Sequence, residues 1–401
     1  MNLAKDSADS GGRARLYLVC GLLAIGQFAL VTSVWMLTGL LKPLSAEFDV
    51  SLGTAGQVLS VFSISYAIST PLLAVATAQV KRRTLLVSVL LLFVGANLLA
   101  AFASNFGMLL ASRAVAGAAD GLYGATATAA AVALAPPEWR GRVLALLNTG
   151  VTLALFAGVP LSTMIGHEFG WRGTFLAVAG IAGVAGLGLI FLLPHVATPP
   201  VASLKERLSV IRIPGVIPTL AIAGLSYIGL FTVYAYLAPI LSERAGVGAA
   251  DMSKMLLAFG FATVIGNWLG GQAADRWGCR KALGFSLIML VPLLVALPIL
   301  SQTPASAAVM LFLWGGFHYF GLSPLQLQLA TIAPNHAGVA LALNSSVIYL
   351  GVAAGAALGG VMVDNFPLLL FGFAGAAFKL AALLVLIRWI RSSPTKAEAS
   401  A

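Results

Sequence analysis

The chain has 401 residues, of which 60% are hydrophobic and only 9% charged; a soluble domain is about a quarter charged. That composition excludes a soluble globular protein of this size and turns the surface toward lipid. The net charge of +10 falls in short clusters between apolar runs, the pattern of loops at a membrane surface and not of a nucleic-acid binder.

Residues 1–15 are polar, with no small-residue cleavage site before the first long apolar run, so a short cytoplasmic tail followed by a retained first span is expected. A helix of roughly 20 apolar residues crosses the hydrocarbon core. Such runs occur near Leu16–Leu41, Thr54–Ala78, Leu85–Phe102, Phe106–Ala135, Val143–Ile165 and Thr174–Leu193. Six more follow, near Val216–Leu241, Met255–Ala273, Ala282–Leu300, Ala305–Ile332, Val339–Val363 and Pro367–Ile390. The only long polar connection, residues 195–214, divides the chain near its middle. The expected organisation is an all-α membrane protein of twelve spans. It has a bundle over 16–194, a cytoplasmic linker over 195–214, a second bundle over 215–391 and a tail over 392–401.

Basic residues orient these spans. With both termini in the cytoplasm, the inner segments hold Lys5, Arg13, Arg15, Lys81, Arg82, Arg83, Arg140, Arg142, Lys205, Arg207, Arg212, Arg276, Arg280, Lys281, Arg388, Arg391 and Lys396. The outer segments hold only Lys42, Arg172, Arg244 and Lys254, and that bias predicts the orientation. Arg113 and Lys379 fall inside spans. Cys20 and Cys279 lie in unlike settings, which suggests neither a disulfide nor a metal site.

The halves repeat. A shift of 198 residues pairs Arg82, Arg83 and Leu85 with Arg280, Lys281 and Leu283, and pairs Ala135-Pro136 with Ala333-Pro334. After two residues are lost in the second half, Val143-Leu144-Ala145-Leu146-Leu147-Asn148 matches Val339-Ala340-Leu341-Ala342-Leu343-Asn344. Two six-helix halves around a mid-membrane site is the layout of a rocking transporter.

Five stretches carry a resemblance: GGQAADRWGCRKAL at 270–283, RAVAGAADGLYG at 113–124, APPEWRGRVLA at 135–145, GVPLSTMIGHEFGWRGTF at 158–175 and YAYLAPIL at 234–241. With them the chain resembles the major facilitator superfamily over nearly its whole length. The likeness is to the twelve-span drug:proton antiporter branch and its sugar- and nucleoside-efflux members. The resemblance implies two pseudo-symmetric six-helix bundles and a monomer in the bacterial cytoplasmic membrane. It also implies a small-molecule substrate, coupled protons and no cofactor.

In the first stretch Gly270 and Gly271 would permit close helix approach. Gly271, Asp275, Arg276, Gly278, Arg280 and Lys281 form the superfamily's loop signature. The acid at Asp275 can meet the positive N-terminus of the fifth span beside Arg140 and Arg142, closing an inner gate; the plainer reading is a solvated basic loop. The first half has Thr77 where the offset places Asp275, and PNHAGV at 334–339 lacks the arginines found at 140 and 142. One inner latch is therefore expected to be electrostatic and the other not. Gly150, Gly158 and Pro160 resemble the antiporter kink, although Val159 separates the Gly-Pro pair and Leu161-Ser162 replaces small residues; packing would explain them equally well. Gly351, Gly355 and Gly359 read as a tight helix seam.

A charge at mid-bilayer costs roughly 2.5–3.5 kcal/mol on insertion scales, so each needs an explanation. Arg113 and Asp120 lie seven residues apart on nearly one face of the fourth span. His318 lies in the tenth span, where the repeat sets it opposite Asp120. Both types of side chain titrate, which makes Asp120, with His318, a candidate carrier of the coupled proton, tuned by Arg113. The alternative is an Arg113–Asp120 ion pair with a merely hydrogen-bonded His318. Lys379 is expected to snorkel or to pair with a group the sequence does not identify. The first span, where many of these antiporters carry an acid, offers only Gln27, Thr32, Ser33 and Thr38 as polar groups. Gln27, Trp35, Tyr123, Tyr227, Tyr234 and Tyr319 are candidates to line a cavity for a weakly polar substrate, against the plainer reading of lipid-facing or packing aromatics.

Four functions compete. Proton-coupled efflux of a drug, sugar or nucleoside is the first, and an uptake symporter is its alternative. A membrane enzyme would need a convergent catalytic set, and no HExxH, GxSxG or paired intramembrane carboxylates occur. A primary pump would need a nucleotide loop, and no GxxxxGK[ST] occurs.

Overall fold

The computed structural model describes residues 3–194 and 209–392, with side chains from Ala14 onward. Residues 195–208 of the expected linker and 393–401 of the expected tail lie outside the described residues. In lipid each backbone N–H and C=O must find its partner inside the segment, so the apolar runs fold as helices. The first span is Leu3–Trp35 continued by Leu37–Phe48, the second Leu52–Ala76, the third Arg82–Ala101 and the fourth Phe106–Leu134. The fifth is Arg140–Leu153, a π turn over Ala154–Gly158, and Val159–Glu168; the sixth is Gly170–Leu192. The seventh is Val216–Tyr234 with Leu237–Ala245, the eighth Ala249–Trp277 and the ninth Cys279–Leu300. The tenth is Pro304–Phe320 with Leu322–Ile332, the eleventh Ala337–Asn365 and the twelfth Leu370–Ser392.

Two features differ from expectation. The first helix starts at Leu3, so the polar tail continues the helix instead of preceding it. Among the described residues 11 helices are long and apolar enough to cross a membrane. The fourth span is not among them, because Arg113, Asp120 and a run of Gly, Ala and Thr dilute its apolar content. It is nonetheless 29 residues long and packed among the others.

Prolines account for several interruptions. Pro160, Pro239 and Pro324 each lack an N–H, and each ring crowds the carbonyl four residues earlier. Those positions are Phe156 in the π turn, Ala235 at the seventh-span break and Phe320 at the tenth-span break. Helix starts are capped in the usual way. Ser51 accepts from the Thr54 N–H, Asn105 from the Met108 N–H, and Thr303 forms a reciprocal capping box with Ser306.

Small residues set the closest packing. Methyl groups at Gly351, Gly355 and Gly359 would lie 2.7, 2.6 and 2.7 Å from the carbonyl oxygens of Gly224, Ile228 and Thr232. The seventh and eleventh spans therefore touch backbone to backbone over about two turns. Gly270 abuts the Phe320 carbonyl, whereas Gly271 has only Ser323 Cβ at 4.0 Å and makes no close approach. Gly278 turns the chain between the eighth and ninth spans at φ 83°, in the left-handed region that favours glycine.

The halves meet along the second and eleventh spans and where the fifth meets the eighth. At the face opposite the termini they are closely joined. There Trp35, beside the break of the first span, packs edge-on against Tyr234, beside the break of the seventh, at 5.1 Å. Nearer the termini the face of the fifth span that meets Gly260 through Leu155 and Phe156 presents Asn148 and Thr149 as exposed side chains.

Candidate functional site

Four side chains of the Arg, Lys, His and Asp type are buried within the spans among the described residues, and no two of opposite charge are paired. Arg113 is 0% exposed. Its Nη1 donates to Ser33 Oγ (3.1 Å), and its Nη2 donates to Asn97 Oδ1 (3.3 Å) and to the Ala96 carbonyl (3.5 Å). The guanidinium also lies 4.6 Å from the centre of the Phe175 ring. Spans one, three, four and six thus converge on one planar cation. Asn97 is oriented for this by donating its amide to the Phe93 carbonyl, which leaves its oxygen toward Arg113. No Arg113–Asp120 pair forms, so the ion-pair alternative is not realised.

Asp120, 2% exposed, is the only buried carboxylate among the described residues. Its Oδ2 accepts from the Tyr349 hydroxyl at 3.2 Å. Tyr349 belongs to the eleventh span, so this bond joins the two halves. The Tyr349 ring stacks on Tyr66 of the second span, with centroids 3.5 Å apart at 12°, and Phe62 flanks it at 6.4 Å. The helix faces allow this because Gly117 and Gly121 let the fourth span press against the backbone of the second.

His318, 5% exposed, and Lys379, 0% exposed, form a pair inside the second bundle. Lys379 Nζ lies 2.8 Å from His318 Nδ1 and donates to the Ser226 carbonyl at 2.8 Å. Lys379 therefore does not snorkel. Its four-carbon stem ends inside the bundle, where a carbonyl and an imidazole receive it. A small cavity beside the pair is lined by Tyr227, Ser286, Leu290, Gly321 and Ile348.

The aromatic candidates divide. Trp35 packs on Phe231 (5.0 Å), Tyr234 (5.1 Å) and Tyr319 (6.4 Å), while Tyr227 meets His318 edge-on at 5.1 Å. Tyr234 continues the cluster to Phe259 and Trp314. Four of the five aromatic candidates thus gather between the halves or beside His318. Tyr123 does not join them, because its hydroxyl donates to the Leu23 carbonyl (3.0 Å) and its ring fills the space over Gly26, which is helix packing. Gln27 is half-buried beside Gly124.

The loop signature is exposed. Asp275, Arg276, Arg140 and Arg142 all lie at the surface, and Asp275 has no ion pair among the described residues. Arg142 lies over the Trp139 ring (5.5 Å), and Arg280 lies over the Trp389 ring (4.1 Å). Gly150 and Gly158 press on Ala24 and Thr32 of the first span, and Pro160 follows the π turn.

Tyr66, Tyr349, Ser226, Asn97 and Asp364 were not singled out from sequence. A tyrosine in a membrane run looks like any packing aromatic. The period of the eleventh span places Tyr349 apart from its glycine seam, which was the one available signal.

A family model described as the Major Facilitator Superfamily matches residues 23–356 and 219–401. The chain belongs to the Major Facilitator Superfamily. It is 32% identical over 377 residues to the MFS-type transporter YbcL of Bacillus subtilis (strain 168), covering 94% of this chain and 96% of that one. It is 30% identical over 342 residues to the inner membrane transport protein YdhP of Escherichia coli (strain K12), covering 85% and 88%. Among solved structures it is similar to a bacterial homolog of the human lysosomal transporter Spinster in an inward-facing, unoccupied conformation. The TM-score is 0.74 at 16% identity, over 94% of this chain and 95% of that one. The human organic anion transporter MFSD10 matches with TM-score 0.67 at 18% identity, over 94% and 99%. The architecture is therefore the major facilitator fold, twelve helices in two pseudo-symmetric bundles, and the chain is a membrane transporter of a small solute and not an enzyme.

Proposed function

We propose that this superfamily member is a proton-coupled efflux transporter for a small organic molecule (a drug, sugar or nucleoside). It works as a monomer by alternating access in the bacterial cytoplasmic membrane, with both termini in the cytoplasm. The observation that carries this reading is the bond between Asp120 and Tyr349. A carboxylate that titrates at the contact between two rocking halves links its proton to which face is open, because the bond is made in one arrangement and exposed in another. The aromatic surfaces of Trp35, Tyr227, Tyr234 and Tyr319, near few polar groups, suit a weakly polar substrate. The Lys and Arg bias supports the orientation, and the likeness to the inner membrane transport protein YdhP supports the inner membrane. The bundles 16–194 and 215–391 are the two moving bodies, and Asp275 closes the inner gate against the Arg140 end of the fifth span when the inner side shuts.

The test is uptake into proteoliposomes of labelled sugars, nucleosides and antibiotics, with and without an imposed pH gradient. Asp120→Asn is expected to keep counterflow while losing at least about tenfold of the gradient-driven accumulation, a factor equivalent to roughly 1.4 kcal/mol of coupling. Full gradient-driven transport by Asp120→Asn would overturn the assignment.

A further inference from the structure

The second span starts with a cap supplied by the other half of the molecule. Ser51, its N-cap, accepts from the Thr54 N–H (3.0 Å), while its own hydroxyl donates to Asp364 Oδ2 (2.7 Å). The Gly53 N–H donates to Asp364 Oδ1 (3.1 Å). Both oxygens of one eleventh-span carboxylate are thus engaged at the positive end of the second span, where the first N–H groups have no helical partner. Glycine allows the approach, since a methyl group at Gly53 would run into the Asp364 carboxylate and the Gly360 carbonyl.

The other corner of the same face, where the fifth span ends and the eighth begins, is built differently. Glu168, the last residue of the fifth span, faces His167 with 3.2 Å between Nδ1 and Oε1. A cleft lined by Thr163, Gly166, His167, Gly248, Ala249 and Met252 opens between the two spans. At the inner face the pattern inverts. The second span ends at Thr77, which only bonds its own helix at the Leu73 carbonyl, and the eighth carries the free acid Asp275.

We propose that Asp364 is a gating residue, the outer latch of the transporter. It holds the outer side closed by capping the second span from the opposite half and is released when that side opens. Each of the two helix pairs then carries one carboxylate latch, at opposite ends: the second and eleventh spans on the outside through Asp364, the fifth and eighth on the inside through Asp275. Closing one face charges one corner while uncapping the diagonal one, so the latches cannot both be engaged in a rigid rocking motion. This inference rests on the alternating-access part of the proposed function, and not on its direction, substrate or coupled proton.

The experiment therefore needs no substrate. Spin labels at Ser104→Cys and Gln302→Cys, on exposed outer loops of the two bundles, report the outer opening by pulsed dipolar spectroscopy in nanodiscs; Cys279→Ser is the background, and Cys20 is buried. Asp364→Asn is expected to raise the outer-open population about tenfold, and Asp364→Glu to stay near the parent. Asp251→Asn, which removes an exposed outer carboxylate paired with Lys254, is expected to leave the distribution unchanged. Should Asp364→Asn not assemble, Ser51→Ala removes one of the two bonds and is expected to shift the population about threefold in the same direction. Unchanged distances in Asp364→Asn, or in Ser51→Ala where the former does not assemble, would overturn the proposal. An equal shift in Asp251→Asn would do the same. A negative result for Asp120→Asn leaves this measurement untouched.

Discussion

Two glycines six residues apart on the eighth span separate the joint between the halves from packing within one half. A methyl group at Gly260 would lie 3.0 Å from Phe156 Cα of the fifth span and would run into the Leu155 carbonyl, across the junction of the halves. At Gly266 it would lie 2.9 Å from Gly316 Cα and 2.8 Å from the Gly316 carbonyl carbon, inside the second bundle. Carbon atoms rest about 3.5–4.0 Å apart, and the carbonyl oxygens of Leu155 and Gly316 lie nearer still, so either substitution demands a retreat of roughly 1 Å or more by backbone that cannot rotate away. Overpacking of this kind costs about 1–3 kcal/mol. The recipient of that strain differs. Gly266→Ala must part the eighth and tenth spans, which is strain on the fold, and its melting temperature in detergent should fall by several degrees. Gly260→Ala can relieve the strain by moving one half against the other. Its melting temperature should stay within about two degrees of the parent, while the population joined at that level falls about tenfold at 1.4 kcal/mol. Thermal melting by size exclusion, read beside the distance measurement described above, separates the two. Equal loss of melting temperature in both variants, with no change in the distances for Gly260→Ala, would refute the reasoning.

His318→Leu should destabilise the second bundle by about 1–3 kcal/mol because it leaves Lys379 with only the Ser226 carbonyl, whereas His318→Leu with Lys379→Met should recover most of the loss; thermal melting of the two variants checks it. Tyr349→Phe removes the donor to Asp120 but keeps the ring stacked on Tyr66, so gradient-driven transport should fall severalfold with little change in melting temperature. Asp275→Asn should slow transport much more than Thr77→Val, since of the second and eighth spans only the eighth carries an acid at its end; equal tolerance of both in the proteoliposome assay would remove the inner latch.

The spans and their pairing into halves were legible because lipid leaves one solution for each apolar run, and because a duplicated half repeats its loops at one offset. The burial of Arg113, Asp120, His318 and Lys379 within spans was legible for the same reason, as charge stands out against an apolar background. Their partners were not. Lys379 and His318 are 61 residues apart and Asp120 and Tyr349 are 229 apart, and a helical period gives the face of a residue without naming the helix that covers it. The repeat suggested that Asp120 and His318 share one path. They instead belong to separate networks, one bridging the halves and the other enclosed in the second bundle, because Lys379 on the twelfth span has no counterpart in the first half to bind Asp120. Glycine spacing announced the seam of the eleventh span, yet the same residue type at Gly271 touches nothing closely. What distinguishes them is the height at which a neighbouring backbone crosses.

The π turn over Ala154–Gly158 has a consequence for side-chain direction. Each α-helical residue advances about 100° around the axis, and a π turn accommodates one residue beyond the α-helical count. The two segments of the fifth span are therefore out of phase by about that angle. Val159–Glu168 turns one stripe toward the eighth span while Arg140–Leu153 packs chiefly on the first, so the surface offered at one membrane face is set independently of the surface offered at the other. Deleting one residue between Ala154 and Gly158 would regularise the helix, and in doing so would rotate Arg140 and Arg142 by about 100° relative to Val159–Glu168.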